Sequence, residues 1–174
     1  MCIRDRNRVI PVVKFLRKTY PELILSVDTF RSEVARNCLD LGIDIINDIS
    51  AGCIDKNILD VVAEYNCPYI MMHMKGTPQT MQINPEYENL IKELLIYFAK
   101  RIYLAREKGI IDIIVDPGFG FGKTLDHNYT IMKKIENFKL LDLPILVGIS
   151  RKSFITKQLD IDKKDSLNGT TALN

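Results

Sequence analysis

Five positions in this chain carry chemistry, and each stands where a run of apolar residues ends. "LILSVDTF" (23–30) delivers Asp28, "IDIINDIS" (43–50) delivers Asn47, and "PYIMMHM" (68–74) delivers His73. "IIDIIVDPG" (110–118) ends on Asp116, and "PILVGIS" (144–150) runs into Ser150, Arg151 and Lys152. Two carboxylates, a carboxamide and a lysine, with no histidine or cysteine cluster, suit a flat heterocycle that presents adjacent N–H donors. His73 has no second ligand one helical turn away, so it reads as a satisfied hydrogen-bonding residue rather than a zinc ligand. His127, beside Asp126 at a helix start, reads as a surface or capping residue. Asp28 or Asn47 alone could cap the next helix in the chain. Four polar groups at four successive strand ends are poorly explained by capping.

The stretch "VDPGFGFGKTLDHN" (115–128) looks at first like a phosphate loop. That loop needs a glycine five positions before Gly122-Lys123-Thr124, where this chain has Pro117, which lacks an N–H and cannot take a positive φ. The dinucleotide fingerprint fails as well, because Lys123 stands where a third glycine would follow Gly118 and Gly120. The glycines therefore serve another ligand, and Lys123 reads as incidental. Met71, Met72 and Met74 lie along one strand, where successive residues change face, so one position in two must face inward, where a thioether can lie against a flat ring. The loop "MKGTPQTMQ" (74–82) exceeds the usual length of a βα connection, which points to a ligand role.

These residues need elements to hold them. The 174 residues are 47% hydrophobic and 26% charged with a net charge of +2, a globular composition sufficient for one core. No apolar run spans a bilayer, and the charge is spread without a basic block, so neither membrane nor nucleic acid is the expected partner. The four cysteines form no CxxC pair and read as reduced thiols of a cytoplasmic protein, Cys38 and Cys67 as core filler. "MCIRDR" (1–6) lacks a cap or periodicity and reads as a leader foreign to the fold, with the domain occupying 7–174.

The five apolar runs are rich in β-branched residues and nearly continuous, as strands buried on both faces are. Helical patterns separate them, over 31–41 (with Val34, Cys38 and Leu41 on one face before Gly42), 55–65, 85–108, 128–138 and 151–158. Asn84 is the expected N-cap of the long helix, with Pro85 at its first position and Gly109 after its end. A helix and then five βα units predict an α/β fold with a parallel sheet. An open doubly wound sheet binds at one switch point, whereas a barrel aims every strand end at one pocket. Five polar strand ends favour a (β/α)8 TIM barrel, of which five units form only part.

In sequence order, "SVDTFRSEVA", "INDIS", "MHMKGTPQTMQ", "DPGFGFGKTLDHN", "LVGISRKSFI" and "NGTTA" resemble the motifs of the pterin-binding enzymes and, among them, the dihydropteroate synthase family. The resemblance runs from about residue 8 to the end of the chain. It implies a (β/α)8 barrel that joins 6-hydroxymethyl-7,8-dihydropterin diphosphate to 4-aminobenzoate in folate biosynthesis, with magnesium assisting, in a homodimer. By motif, Asp28, Asn47, Asp116 and Lys152 would hold the pterin and Met71 would pack on its face. Asp28, Asp116 and Lys152 would carry the catalysis. Phe121 and Ser153 would meet the aminobenzoate. The family's "NVTPDSF"-like motif, with its magnesium-binding asparagine, and its final arginine and histidine have no counterpart in these residues. The resemblance thus places no metal ligand here, and this segment alone is expected to be inactive. A methyltetrahydrofolate-dependent methyltransferase of the same fold and a non-catalytic pterin binder are the alternatives.

Overall fold

The computed structural model describes the backbone of residues 2–81, 83 and 85–173, and the side chains of these from Arg6 onward. Helix α1 (Cys2–Thr19) leads into β1 (Ser26–Asp28), α2 (Ser32–Leu39), β2 (Ile45–Asp48), α3 (Ile58–Tyr65) and β3 (Tyr69–Met72). Next come α4 (Leu90–Glu107), β4 (Ile113–Asp116), α5 (Leu125–Lys133), a 3-10 segment (Ile135–Leu141), α6 (Ser153–Leu159) and α7 (Leu167–Leu173). A short 3-10 turn (Lys163–Asp165) joins the last two helices.

The four strands are parallel and lie in the order β1-β2-β3-β4. Right-handed crossovers between strands taken in sequence order put every connecting helix on the same side of the sheet. That is the winding of a barrel wall, whereas a doubly wound sheet reverses its order and covers both faces. The buried core agrees. Val27, Ile46, Tyr69, Met71, Ile113 and Val115 point to the helical side and pack with Val34, Cys38, Val62, Leu94, Phe98 and Ile131.

The fifth expected strand is reduced to one parallel bridge, Val115 to Ile145. Val115 N–H donates to the Pro144 carbonyl and Leu146 N–H to the Val115 carbonyl. Pro144 has no N–H to extend the ladder, and Gly148 weakens strand pairing beyond the bridge. The long helix also begins later than its sequence suggests. Asn89, not Asn84, caps α4, its side chain accepting from Lys92 N–H at 3.1 Å. Asn84 itself lies outside the described residues, and Pro85 precedes the helix in an irregular connection. From Leu90 the spacing of Leu94, Phe98, Ile102 and Ala105 seats one face in the core. Cys38 and Cys67 are buried free thiols, the core filler expected of them. Among the described residues no helix is long and apolar enough to cross a membrane.

Candidate functional site

In parallel register Asp28 lies opposite Asn47, Asn47 opposite Ile70, and Met72 opposite Asp116. Register partners share a face and alternate residues change face, so Asp28, Asn47, Met72 and Asp116 all point away from the helices. At the strands' C-terminal ends this face holds Met72 and Asp116 buried, Asn47 half-buried and Asp28 exposed. The same alternation removes Met71 from the pocket. It pairs with Val115, is fully buried, and belongs to the helix-facing core. The expectation that Met71 packs on the ligand is corrected by one residue: Met72 occupies the cleft face.

The capping explanation for the first two residues also fails. The N-cap of α2 is Arg31, and Ser32 at its start is held by Asp55, whose Oδ2 accepts from the Ser32 amide and hydroxyl at 2.8 and 2.7 Å. After β2 the local hydrogen bonding belongs to Asp48. Its carboxylate accepts from Ser50 N–H, Ser50 Oγ, Gly52 N–H and Tyr69 OH at 2.6–2.8 Å. Asn47 is released from that task. Its Oδ1 is buried and has no hydrogen-bond partner in the structure. A buried acceptor left unpaired costs about 1–3 kcal/mol, so it marks a place where a donor is missing.

Asp116 is 6% exposed, and its Oδ1 accepts Gly118 N–H at 2.7 Å. Burial raises its carboxyl pKa, opposed by the Gly118 bond and by the ammonium groups of Lys152 and Lys123, while Asp28 adds to the rise. The Asp28 carboxyl is raised too, by the surrounding protein first and by Asp48 second. The Asp28 charge is felt at Asp116 as the smallest of these influences, whereas the neighbour felt at Asp28 is Asp48.

The glycine loop explains its own composition. A Cβ on Gly118 would sit 2.0 Å from the His73 carbonyl oxygen, and one on Gly122 would sit 2.7 Å from that of Lys75. Both glycines have positive φ, +74° and +60°. Side chains are excluded because the loop lies directly on the backbone that continues β3. Further anchors hold it: Gly120 N–H to Asn128 Oδ1 at 2.7 Å, Tyr87 OH to the Gly122 carbonyl at 2.8 Å, and Lys152 Nζ to the Phe119 carbonyl at 2.6 Å. Lys152 reaches over from the start of α6, passing Gly120, and its ammonium stands 5.0 Å from the centre of the half-buried Phe121 ring. Ser153 is exposed at the first position of α6.

Arg151 behaves differently from its neighbour. Its φ is +52°, and the guanidinium turns away to the carbonyls of Lys163 and Lys164 at 3.1 Å. This places it outside the cleft and makes the turn that presents Lys152. Thr124 caps α5 and His127 completes the capping box, in keeping with its expected capping role: each side chain accepts the other's N–H at 3.2 Å. His73 is buried with its Nδ1 facing Lys123, and burial and then that ammonium drive its pKa down to about 2. It is a neutral hydrogen-bonding histidine. Lys123 itself is fully enclosed, a role its place in the sequence hides.

A parallel sheet wound in sequence order, with Asp28, Asn47 and Asp116 on one face at its strand ends, is the wall of a barrel. The chain belongs to the pterin binding enzyme family, whose profile matches residues 3–173. It is 44% identical over 171 residues to dihydropteroate synthase of Synechocystis sp., covering 97% of this chain and 59% of that protein. The Yersinia pestis dihydropteroate synthase in its sulfonamide drug complex superimposes with a TM-score of 0.91 at 34% identity, over 96% of this chain and 61% of that one. The Xanthomonas albilineans dihydropteroate synthase in complex with 7,8-dihydropteroate gives 0.87 at 33% identity, over 96% and 61%. The chain spans about three fifths of the length of these relatives.

Proposed function

We propose that the gene product containing this chain is a dihydropteroate synthase, and that the cleft at the ends of β1–β4 is its pterin pocket. One observation carries the reading: the unpaired, buried Asn47 Oδ1 on the same face as two carboxylates. The aminopyrimidinone edge of a pterin offers a ring N–H and an adjacent amino group, which an ionised Asp116 can accept as a pair. A further ring N–H would fill the Asn47 acceptor. Lys152, whose pKa is lowered by burial and raised by Asp116, is poised to donate to the pterin's ring oxygen and nitrogen. Met72 supplies a thioether for the ring face.

The dihydropteroate bound by the Xanthomonas albilineans relative joins a pterin to an aminobenzoate, which supports two adjacent substrates here. In the reaction the C–O bond to diphosphate breaks and positive charge builds on the exocyclic carbon of the pterin. The amine of 4-aminobenzoate attacks that carbon, forms the C–N bond, and loses its proton to solvent. Asp28 and Asp116 stabilise the developing cation. Phe121, over the cleft beside Lys152, and Ser153 border the second substrate. Magnesium, which the resemblance implies, finds no fit here: among the described residues no three His, Cys, Asp or Glu side chains converge. The same reading carries a cytoplasmic, homodimeric enzyme, testable by fractionation and sedimentation.

The test is dihydropteroate formation by the full-length gene product from the two substrates. Product formation at a turnover typical of enzymes supports the reading. Tight pterin binding without product would turn it to a non-catalytic binder.

A further inference from the structure

Lys123 takes no part in this chemistry, yet it is among the most enclosed charged residues of the chain, 4% exposed. Lysine is almost never buried to this degree unless its ammonium is paired. Here Nζ donates to His73 Nδ1 at 3.0 Å and to the Phe121 carbonyl at 2.9 Å, with the His73 carbonyl at 3.4 Å. An ammonium has three donors, and three acceptors surround it. Nζ also lies against Gly118, 3.3 Å from where a Cβ would be. One group therefore joins the end of β3 to two points of the loop after β4, the same loop that holds Asp116 through Gly118 and carries Phe121.

We propose that Lys123 is a positioning residue for the second substrate: by clasping His73 and the Phe121 carbonyl it fixes the loop so that the Phe121 ring covers the cleft. The inference rests on the synthase reading. The other loop anchors act elsewhere, Asn128 at Gly120, Tyr87 at Gly122 and Lys152 at Phe119. Only Lys123 holds the Phe121 peptide itself among the described hydrogen bonds from side chains. Burial, offset by Asp116 and reinforced by Lys152, brings its pKa down to about 7. The clasp survives that titration, because a neutral amine still donates to the carbonyl.

The experiment uses Lys123→Met and Lys123→Gln in the full-length gene product, with each substrate varied in turn and folding monitored by circular dichroism. Lys123→Met is expected to raise the KM for 4-aminobenzoate about tenfold while the KM for the pterin diphosphate changes by less than threefold. Lys123→Gln, whose amide can still donate to the Phe121 carbonyl, should recover part of the difference. A purely structural role would lower the active fraction and leave both KM values alone. Wild-type KM values in a folded Lys123→Met protein overturn the proposal. Failure of both variants to fold also overturns it, by making Lys123 a determinant of the fold. A wild type that forms no dihydropteroate strikes the functional reading itself, and the proposal with it.

Discussion

Asp116→Asn separates what this carboxylate does for chemistry from what it does for the fold. The substitution keeps the size and the acceptor for Gly118 N–H, now 2.7 Å from Oδ1. It removes the negative charge and turns an amide donor toward the cleft, against the ligand's own N–H groups. Losing one preorganised electrostatic contact of this kind costs about 2.7–4 kcal/mol in the transition state, roughly a hundred- to a thousandfold in turnover. Stability should move the other way. The folded pKa of Asp116 is raised above its unfolded value of 3.8, chiefly by burial. The folded state therefore binds more protons between those two values, and stability falls as pH rises through that window. At neutral pH the ionised group works against folding, so Asp116→Asn should leave Tm unchanged or higher. Steady-state kinetics and thermal denaturation at pH 7 on the full-length protein read both effects. Near-normal turnover would remove Asp116 from the mechanism, and a Tm lowered by several degrees would refute the destabilising effect assigned to its burial.

Three other outcomes are expected. Phe121→Ala should raise the KM for 4-aminobenzoate about tenfold with little change in pterin binding, because the ring borders only the second substrate; equal effects on both would contradict this. Gly118→Ala combines a left-handed φ with a Cβ 2.0 Å from a backbone oxygen that cannot swing aside. It should destabilise by more than the ~1 kcal/mol that a positive φ alone costs an alanine, measured by urea denaturation, and a smaller loss would mean the loop does not lie on the backbone that continues β3. Expressed alone, residues 1–174 expose the free edge of β1 beside the apolar Leu23 and Ile24. Association that grows with concentration is expected in sedimentation, and a monomer with one sharp thermal transition would count against it.

Much of this site is legible in the sequence for a physical reason. Buried parallel strands are apolar throughout, so Asp28, Asn47 and Asp116 stand out where each run meets solvent or ligand. The same uniformity hides the phase of a strand. In "YIMM" only the Tyr69 hydroxyl is polar and nothing marks the face of either methionine, so it takes the pairing of Met72 with Asp116 to show that Met71 belongs to the core. Helix starts are ambiguous where two asparagines precede one apolar face, and the Asn89 side chain, by accepting Lys92 N–H, settles which caps α4. Lys123 and Arg151 are opaque for another reason. Once the phosphate loop is excluded the sequence leaves Lys123 without a role, and it places Arg151 at a strand end beside Lys152. The His73 ring lies 50 residues from Lys123, and the carbonyls of 163 and 164 lie 12 and 13 residues beyond Arg151, across a helix and a turn that no local pattern joins to it.

The most direct test of the pterin pocket is a crystal structure of the full-length gene product with 7,8-dihydropteroate. The expected result has the pterin's N–H edge on Asp116, a donor filling the Asn47 Oδ1 acceptor, Lys152 on the opposite edge, and Met72 rather than Met71 against the ring. A pterin bound away from the ends of β1–β4, or one that leaves Asn47 Oδ1 unpaired, would contradict it.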